Sequence, residues 1–156
     1  MNLRSRQRGV AAVELGILIV PLVLLAFGIT EFGRAMYQYN TIAKGVRDGV
    51  RYLTHYAPGD AARIAIAKNL AVCGTTAACS GASALVTGLN VGMISVCDRS
   101  NCADHNLQPV VYGGSTLGQV NLVTMTASGF QFNSLVPFVM PSITFGPISS
   151  TMEQVL

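Results

Sequence analysis

A single carboxylate, Glu14, stands inside a run of twenty otherwise uncharged residues, 10–29. The basic residues directly before the run are Arg4, Arg6 and Arg8. The run begins immediately after Gly9, so that Glu14 is its fifth residue. A carboxylate near the centre of a membrane-spanning helix costs about 2.5 to 3.5 kcal/mol on insertion scales, and less near an end. Because such a charge is costly, we expect it to have a function.

Two close pairs of cysteines are the second group of residues that could do chemistry. Cys73 lies near Cys79, and Cys97 lies near Cys102. An even number of cysteines in a membrane-anchored chain is typical of disulfides in an oxidising compartment. Four cysteines allow three connectivities, and local pairing is the simplest because each bond then closes only a short loop.

A metal site is the alternative use of the second cysteine pair. Cys97, Cys102 and His105 could ligate zinc, with Asp98 and Asp104 nearby. The usual two-by-two ligand spacing is missing, and an oxidising compartment favours a disulfide, so we expect no metal ion and no cofactor. The sequence also lacks paired carboxylates, a phosphate-binding loop and a dinucleotide fingerprint. We therefore expect a protein without enzymatic activity or a small-molecule substrate.

The run around Glu14 has the dimensions of a membrane anchor. Twenty helical residues extend about 30 Å, which is the thickness of a bilayer core. Pro21 is tolerated in lipid as a kink. The arginines before the run favour a cytoplasmic amino terminus, although basic residues also follow it, and the cysteines favour an exported carboxyl-terminal part. A cleaved secretory signal peptide is the alternative, but Glu14 stands where its apolar core would begin.

The charge balance excludes one class of partner. The chain has ten basic and seven acidic residues, and its net charge of +3 equals the contribution of the three arginines before the run. The remainder is neutral and has no basic cluster, so we expect no binding to nucleic acid.

A helical pattern continues beyond the apolar run. Apolar residues recur in alternating steps of four and three, which predicts one helix from Val10 to Ala57 that ends at Pro58-Gly59. The stripe consists of Phe32, Met36, Tyr39, Ala43, Val46, Val50, Leu53 and Ala57. We expect residues 30–57 to pack their stripe on the protein's own domain, and a helix of another chain is the alternative partner.

The remaining residues, 58–156, predict an exported globular α+β domain. A second helix is expected over Asp60–Val72, with Asp60 as its N-cap. The predicted strands are Val91–Cys97, Val120–Thr126 and Ile143–Met152, with a shorter candidate at Val110–Tyr112. The apolar segment Phe130–Met140 could be a buried connection or an exposed interaction surface. The expected organisation is a basic leader at 1–9, a membrane helix at 10–29, its amphipathic continuation and this domain.

Four segments of the first part resemble, in order and spacing, the TadE-like proteins of tight-adherence (Tad/Flp) pilus systems, within the type IV pilin superfamily. These segments are Arg8–Leu15, Val20–Leu25, Gly28–Arg34 and Val46–Tyr52. The first looks like the family's basic-Gly-x-Ala-Ala-Val-Glu start, the third like its G-x-x-E-x-G-R segment and the fourth like its A-R-E-G-A-R-Y segment. The departures are Leu15, where an aromatic residue is common, and Asp48 and Val50 in place of Glu and Ala. The resemblance implies a pilin-like fold, with one long N-terminal helix on a small antiparallel sheet and a second short helix.

The resemblance also implies a function. A prepilin peptidase would cut between Gly9 and Val10 at the cytoplasmic face of the bacterial inner membrane, where the leader arginines hold the chain. Glu14 would then be the fifth residue of the mature chain and would pair with the free amino terminus of Val10 on a neighbouring subunit. The implied partners are other pilins or pseudopilins and the Tad machinery. The implied topology is a single pass with a periplasmic C-terminal domain, and incorporation into an extracellular pilus is a further expectation.

Two other functions remain open from the sequence. The first is a signal-anchored periplasmic module that stays in the membrane and binds envelope partners or polysaccharide. The second is an anchored enzyme that uses the region from Cys97 to His105. The sequence leaves open whether a pilus subunit of this kind lies at a tip, along a shaft or in the membrane machine, and whether Val10 is methylated.

Overall fold

The described residues form two α-helices, three short 3₁₀ helices and six strands. The computed structural model describes the backbone of residues 3–155 and, except for Ala82, the side chains of residues 9–155. Helix α1 spans Leu3–Leu53 and helix α2 spans Ala61–Cys73. The strands are β1 (Ile94–Cys97), β2 (Gln108–Tyr112), β3 (Ser115–Ala127), β4 (Gln131–Phe132), β5 (Ile143–Thr144) and β6 (Ile148–Gln154). The predicted α+β, pilin-like fold is confirmed.

The chain divides into two compact units. The first unit comprises the described residues up to Met36 together with the segment Asn133–Ser142. The second unit comprises Tyr37–Phe132 and the described residues from Ile143 onward. The segment Asn133–Ser142 therefore belongs with the apolar part of α1, although it is far from it in sequence.

The main sheet of the second unit is built around β3. Strands β1, β2 and β6 all pair with β3 in antiparallel orientation. Strands β2 and β3 form a hairpin whose turn residues, Gly113 and Gly114, have φ angles of 58° and 83°. Consecutive left-handed residues match the twist of a two-residue hairpin, and glycine adopts them without strain.

The last predicted strand, Ile143–Met152, is wrong as a single element. Its first residues form β5, which pairs with β4, and the remainder forms β6, which pairs with β3. Phe145, Gly146 and Pro147 separate the two strands, and proline has no N–H to donate to a continuous ladder. The two pieces therefore join different sheets.

The boundaries of the helices follow local rules. Asp60 is confirmed as the N-cap of α2, because its side chain accepts hydrogen bonds from the N–H groups of Ala62 and Arg63. Gly74 closes the same helix in a left-handed conformation. Helix α1 ends at Leu53, four residues before the predicted end, and a turn in which the N–H of Tyr56 donates to the carbonyl oxygen of Leu53 at 3.1 Å leads the chain toward Pro58.

Two glycines allow α1 and α2 to approach closely within the second unit. A Cβ atom on Gly45 would overlap the carbonyl oxygen of Ala71, and one on Gly49 would lie 2.9 Å from the carbonyl oxygen of Ala67. A Cβ on Gly49 would also lie 2.7 Å from the sulfur of Met125, in β3. Ala67, Ala71 and Met125 are all buried, so this crossing lies in the core.

The predicted apolar stripe on α1 is correct at one end and wrong at the other. Val46, Val50 and Leu53 are buried in the second unit. In the first unit Phe32 and Met36 are exposed, and Glu31 and Ala35 are buried instead, one position earlier. Successive residues of a helix are about 100° apart around its axis, so the buried face of α1 in this unit is turned by that angle from the predicted one. The hydrogen bonds of Glu31 explain why its face is buried rather than that of Phe32.

Candidate functional site

The apolar part of α1 is long enough to cross a membrane. A stretch near the amino terminus, within the helical residues Gly9–Leu53, meets the length and composition of a spanning helix, and none of it is buried in the protein. Its large apolar side chains are exposed, including Leu15, Leu18 and Leu25. The side chains of Arg4, Arg6 and Arg8 lie outside the part that the structure describes.

The predicted cleavage position lies within this helix. Gly9 and Val10 are both helical and exposed, and a Cβ atom on Gly9 would meet nothing within 4 Å. A protease requires an extended backbone, and glycine is the poorest helix former after proline, at about 1 kcal/mol relative to alanine. Gly9 therefore weakens the helix at the bond where cleavage is expected.

Glu14 is exposed on the same helix. Among the side chains that the structure describes, none forms a hydrogen bond or an ion pair with this carboxylate. Its neighbours on the apolar run, residues 10–18, offer no polar side chain.

A second carboxylate in the first unit, Glu31, has the opposite environment. It is 2% exposed, and one oxygen accepts a hydrogen bond of 2.5 Å from the guanidinium of Arg34. Its other oxygen accepts a 2.9 Å hydrogen bond from the N–H of Leu135. Arg34 also donates to the carbonyl oxygen of Asn133 at 3.1 Å. Glu31 and Arg34 thus fasten the segment Asn133–Ser142 to α1.

The sequence pattern predicts only a surface pair between Glu31 and Arg34, and it misses their contacts with Asn133 and Leu135. Both of those contacts are with backbone atoms about one hundred residues away in sequence. Backbone donors and acceptors exist at every position, so they leave no signal in the sequence.

Another residue of the family-like segments, Tyr52, connects the two helices in the second unit. Its hydroxyl accepts a 3.1 Å hydrogen bond from Arg63, whose guanidinium also lies 4.3 Å from the ring centre of Tyr56. The Arg63 guanidinium holds the pKa of Tyr52 below its ordinary value. Tyr52 therefore contributes to the joint between α1 and α2 rather than to an open site.

The four cysteines are paired locally, Cys73 with Cys79 and Cys97 with Cys102. The sulfurs of Cys97 and Cys102 lie within 4.8 Å of ligand atoms of Asp104 and His105, so these residues could surround one ion. Both sulfurs are committed to the disulfide, however, and zinc binds thiolates rather than disulfides. With the disulfide formed, the cluster lacks half of its donors.

Asp98, within the second disulfide loop, points away from that cluster. It is buried, and it accepts hydrogen bonds of 2.8 Å from the N–H groups of Gly59 and Ser100. Burial raises the pKa of Asp98, but the hydrogen bonds from Ser100 and Gly59 outweigh burial and hold the pKa below its ordinary value. Asp98 thus joins its loop to the turn between the helices.

A carboxylate, an imidazole and a hydroxyl follow one another beside the second disulfide. Asp104 lies 2.9 Å from Nδ1 of His105, and Nε2 of His105 lies 2.7 Å from the hydroxyl of Thr124. The order is that of a hydrolytic triad. Thr124, however, pairs with Cys97 on one side and Thr151 on the other, so the backbone around it serves the sheet rather than an oxyanion site. We assign this chain of hydrogen bonds a structural role.

A groove of about 560 Å³ runs between α1 and α2 in the second unit. Polar residues of α1, among them Tyr37, Asn40 and Lys44, form much of its lining. None of its lining residues is a cysteine or histidine, so it offers no nucleophile with an adjacent imidazole base.

Comparison with known proteins gives one match. The family described as TadE-like protein matches residues 9–51, so the predicted resemblance is confirmed over this segment. The match begins at Gly9 and includes Glu14, Glu31 and Arg34. No curated protein and no solved structure matches the chain.

Proposed function

We propose that this chain is a TadE-like pilus-assembly protein, a pseudopilin or minor pilin without enzymatic activity, which a prepilin peptidase cuts between Gly9 and Val10. The observation that carries the proposal is the family match over residues 9–51, which starts at the glycine where cleavage is expected. The membrane-length helix that follows this glycine supports the same function.

The environment of Glu14 supports an order of events. Cleavage creates a free amino group on Val10, and this is a cation that the uncut chain does not have at this level of the membrane. An isolated carboxylate in an apolar environment is costly, whereas a paired one is tolerated. Insertion would therefore precede cleavage, and the pairing of Glu14 with Val10 of a neighbouring subunit would follow during assembly.

The proposed location is the bacterial inner membrane, with the leader in the cytoplasm and the second unit in the periplasm. Four paired cysteines support an oxidising compartment for this unit. The proposed partners are the prepilin peptidase, other pilins or pseudopilins and the Tad machinery. With these partners the chain would act in the biogenesis of adhesion pili.

Mass spectrometry of the protein from its native membrane tests the cleavage. The mature chain is expected to begin at Val10, and Gly9→Leu is expected to leave the leader attached because a side chain then stands at the scissile bond. Gly16→Leu is the matched control, since Gly16 is also helical with nothing within 4 Å of a Cβ atom. A leader that stays attached in a peptidase-competent cell, or a different first residue, would contradict the proposal.

The groove between α1 and α2 favours a second candidate function. Exposed Tyr37, with Asn40 and Lys44, offers an aromatic face and hydrogen-bonding groups to an envelope polymer. A module that stays in the membrane to bind such a polymer needs no cleavage. Normal localisation and function of Gly9→Leu, with its leader attached, would support this second candidate over the first.

A further inference from the structure

The segment Asn133–Ser142 is held beside the end of the membrane-length run. A Cβ atom on Gly28, in the last turn of that run, would lie 3.7 Å from the side chain of Val139. The N–H of Leu135 is bonded to Glu31, three residues further along α1. Three residues correspond to about 4.5 Å along the helix axis. The segment therefore occupies the level at which the hydrocarbon core of a bilayer gives way to its headgroups.

The composition of this segment suits that level. It contains no charged residue, and two of its apolar side chains, Leu135 and Phe138, are 75% and 81% exposed. Phe138 lies in a turn closed by hydrogen bonds of 2.9 and 3.1 Å from the N–H groups of Val139 and Met140 to the carbonyl oxygen of Val136, and Leu135 directly precedes this turn.

Four of the segment's N–H groups have hydrogen-bond partners within the protein, which suits them to a poorly hydrated environment. A peptide group without a hydrogen-bond partner is costly in the apolar part of a membrane. Leu135 donates to Glu31, Val136 donates to the hydroxyl of Ser134, and Val139 and Met140 donate to the carbonyl oxygen of Val136. Pro137 and Pro141 have no N–H to satisfy.

From this geometry we propose that Asn133–Ser142 is a lipid-binding element that inserts Leu135 and Phe138 into the outer boundary of the bilayer. The inference rests on the proposed membrane insertion of residues 10–29, whose apolar surface is continuous with the segment within the first unit. Glu31 and Arg34 set its depth, because they fix the segment to α1. The apolar residues of the segment thus extend the anchor beyond a single helix.

Single tryptophans test this depth directly, because the chain contains no tryptophan. Four full-length variants are reconstituted in phosphatidylcholine–phosphatidylglycerol vesicles that contain brominated lipids. Phe138→Trp reports on the segment, Leu18→Trp on the middle of the run, and Tyr112→Trp on a 78% exposed position of β2. Leu135→Trp is a second reporter in the segment, in case the first disturbs the turn.

The expected result is a difference in quenching depth. Phe138→Trp should emit at shorter wavelength than Tyr112→Trp and be quenched more by bromine near the headgroup end than by bromine near the midplane. Leu18→Trp should be quenched more by bromine near the midplane than by bromine near the headgroup end. Tyr112→Trp should be quenched little by either lipid.

Three results would overturn the inference. If both segment reporters behave like Tyr112→Trp while Leu18→Trp is quenched, the segment lies in water. The proposed membrane insertion of residues 10–29 is then still supported, but the lipid-binding role of the segment is not. If their emission is shifted but no brominated lipid quenches it, a second copy or another protein covers the segment. If Leu18→Trp is not quenched, residues 10–29 do not span the bilayer, and both this inference and the proposed function fail.

Discussion

Glu14 and Glu31 lie on the same helix and within the same family match, residues 9–51, but their environments differ. Glu14 is exposed on an apolar run and has no partner among the described side chains. Glu31 is buried and receives hydrogen bonds from Arg34 and from the backbone of Leu135. A carboxylate that is satisfied within its own chain holds that chain together. A carboxylate left unsatisfied in an apolar run is suited to a partner that arrives later.

The glycines of α1 show the same contrast between an open and a closed part of the helix. A Cβ atom on Gly16 would meet nothing within 4 Å, whereas one on Gly45 would overlap the backbone of Ala71. The open part therefore has surface free for lipid or other subunits, and the closed part is occupied by the protein's own core.

The largest effect is expected from Glu14→Ala. Removal of one partner from a buried ion pair costs about 3–5 kcal/mol, so the number of pili should fall more than a hundredfold. Membrane insertion should be unchanged or improved, because the costly charge is gone. Pilus counts by electron microscopy, together with membrane fractionation, measure both quantities. Leu15→Ala, the neighbouring exposed position, should retain its pili, and normal piliation of Glu14→Ala would remove the pairing role.

A smaller effect, on stability rather than assembly, is expected from Gly45→Ala. The new methyl group would meet the backbone of α2, which cannot move aside as a flexible side chain can. Overpacking of this kind costs about 1–3 kcal/mol, so thermal unfolding of the full-length protein in micelles should occur at a lower temperature. Gly16→Ala, in the open part, should unfold at the wild-type temperature or above it. Equal unfolding temperatures for the two variants would mean that the helices are not in close contact.

The effect of Glu31→Ala should be local. Loss of the carboxylate leaves the N–H of Leu135 without its acceptor, which costs about 1–3 kcal/mol, so its hydrogen exchange should accelerate roughly tenfold. Phe32→Ala removes an exposed side chain from the same turn and should leave this exchange unchanged. Unchanged exchange in Glu31→Ala would show that the segment is held by other contacts.

Local patterns in the sequence predict much of this structure. The apolar run, the N-cap at Asp60 and the turn at Gly113-Gly114 depend on neighbouring residues, and each can be recognised from composition and spacing. The four-residue spacing of Gly45 and Gly49, repeated by Ala67 and Ala71, is a further signal of a close helix crossing that can be found without a structure.

The burial of Glu31 and the division of the last strand could not be predicted in this way. The hydrogen bond from Leu135 is made by a backbone group, and every residue except proline carries such a donor. The choice of partners for β5 and β6 depends on which sheet edges are available in three dimensions. Alternation along Ile143–Met152 contains no information about those edges.

A third carboxylate, Asp98, can be compared with Glu14 and Glu31 through the pH dependence of its contribution to stability. We expect its substitution to have the smallest effect. Like Glu31 it is buried and satisfied within the chain, and its pKa is below the ordinary value. A carboxylate whose pKa is lowered by folding stabilises the folded state. This stabilisation is fully present above the pKa of the unfolded state, about 3.9, and is lost as the pH falls through the pKa of the folded state.

Asp98→Asn should therefore unfold at a lower temperature than the wild type at pH 7, because its amide presents N–H groups where the carboxylate accepted from Gly59 or Ser100. The difference should shrink as the pH falls below about 4, because the wild-type carboxyl then takes up a proton. Asp48→Asn, which changes an exposed carboxylate of α1, should show no such convergence. If the unfolding temperatures of Asp98→Asn and the wild type differ by the same amount from pH 7 to pH 3, the charge of Asp98 does not hold its loop against Gly59.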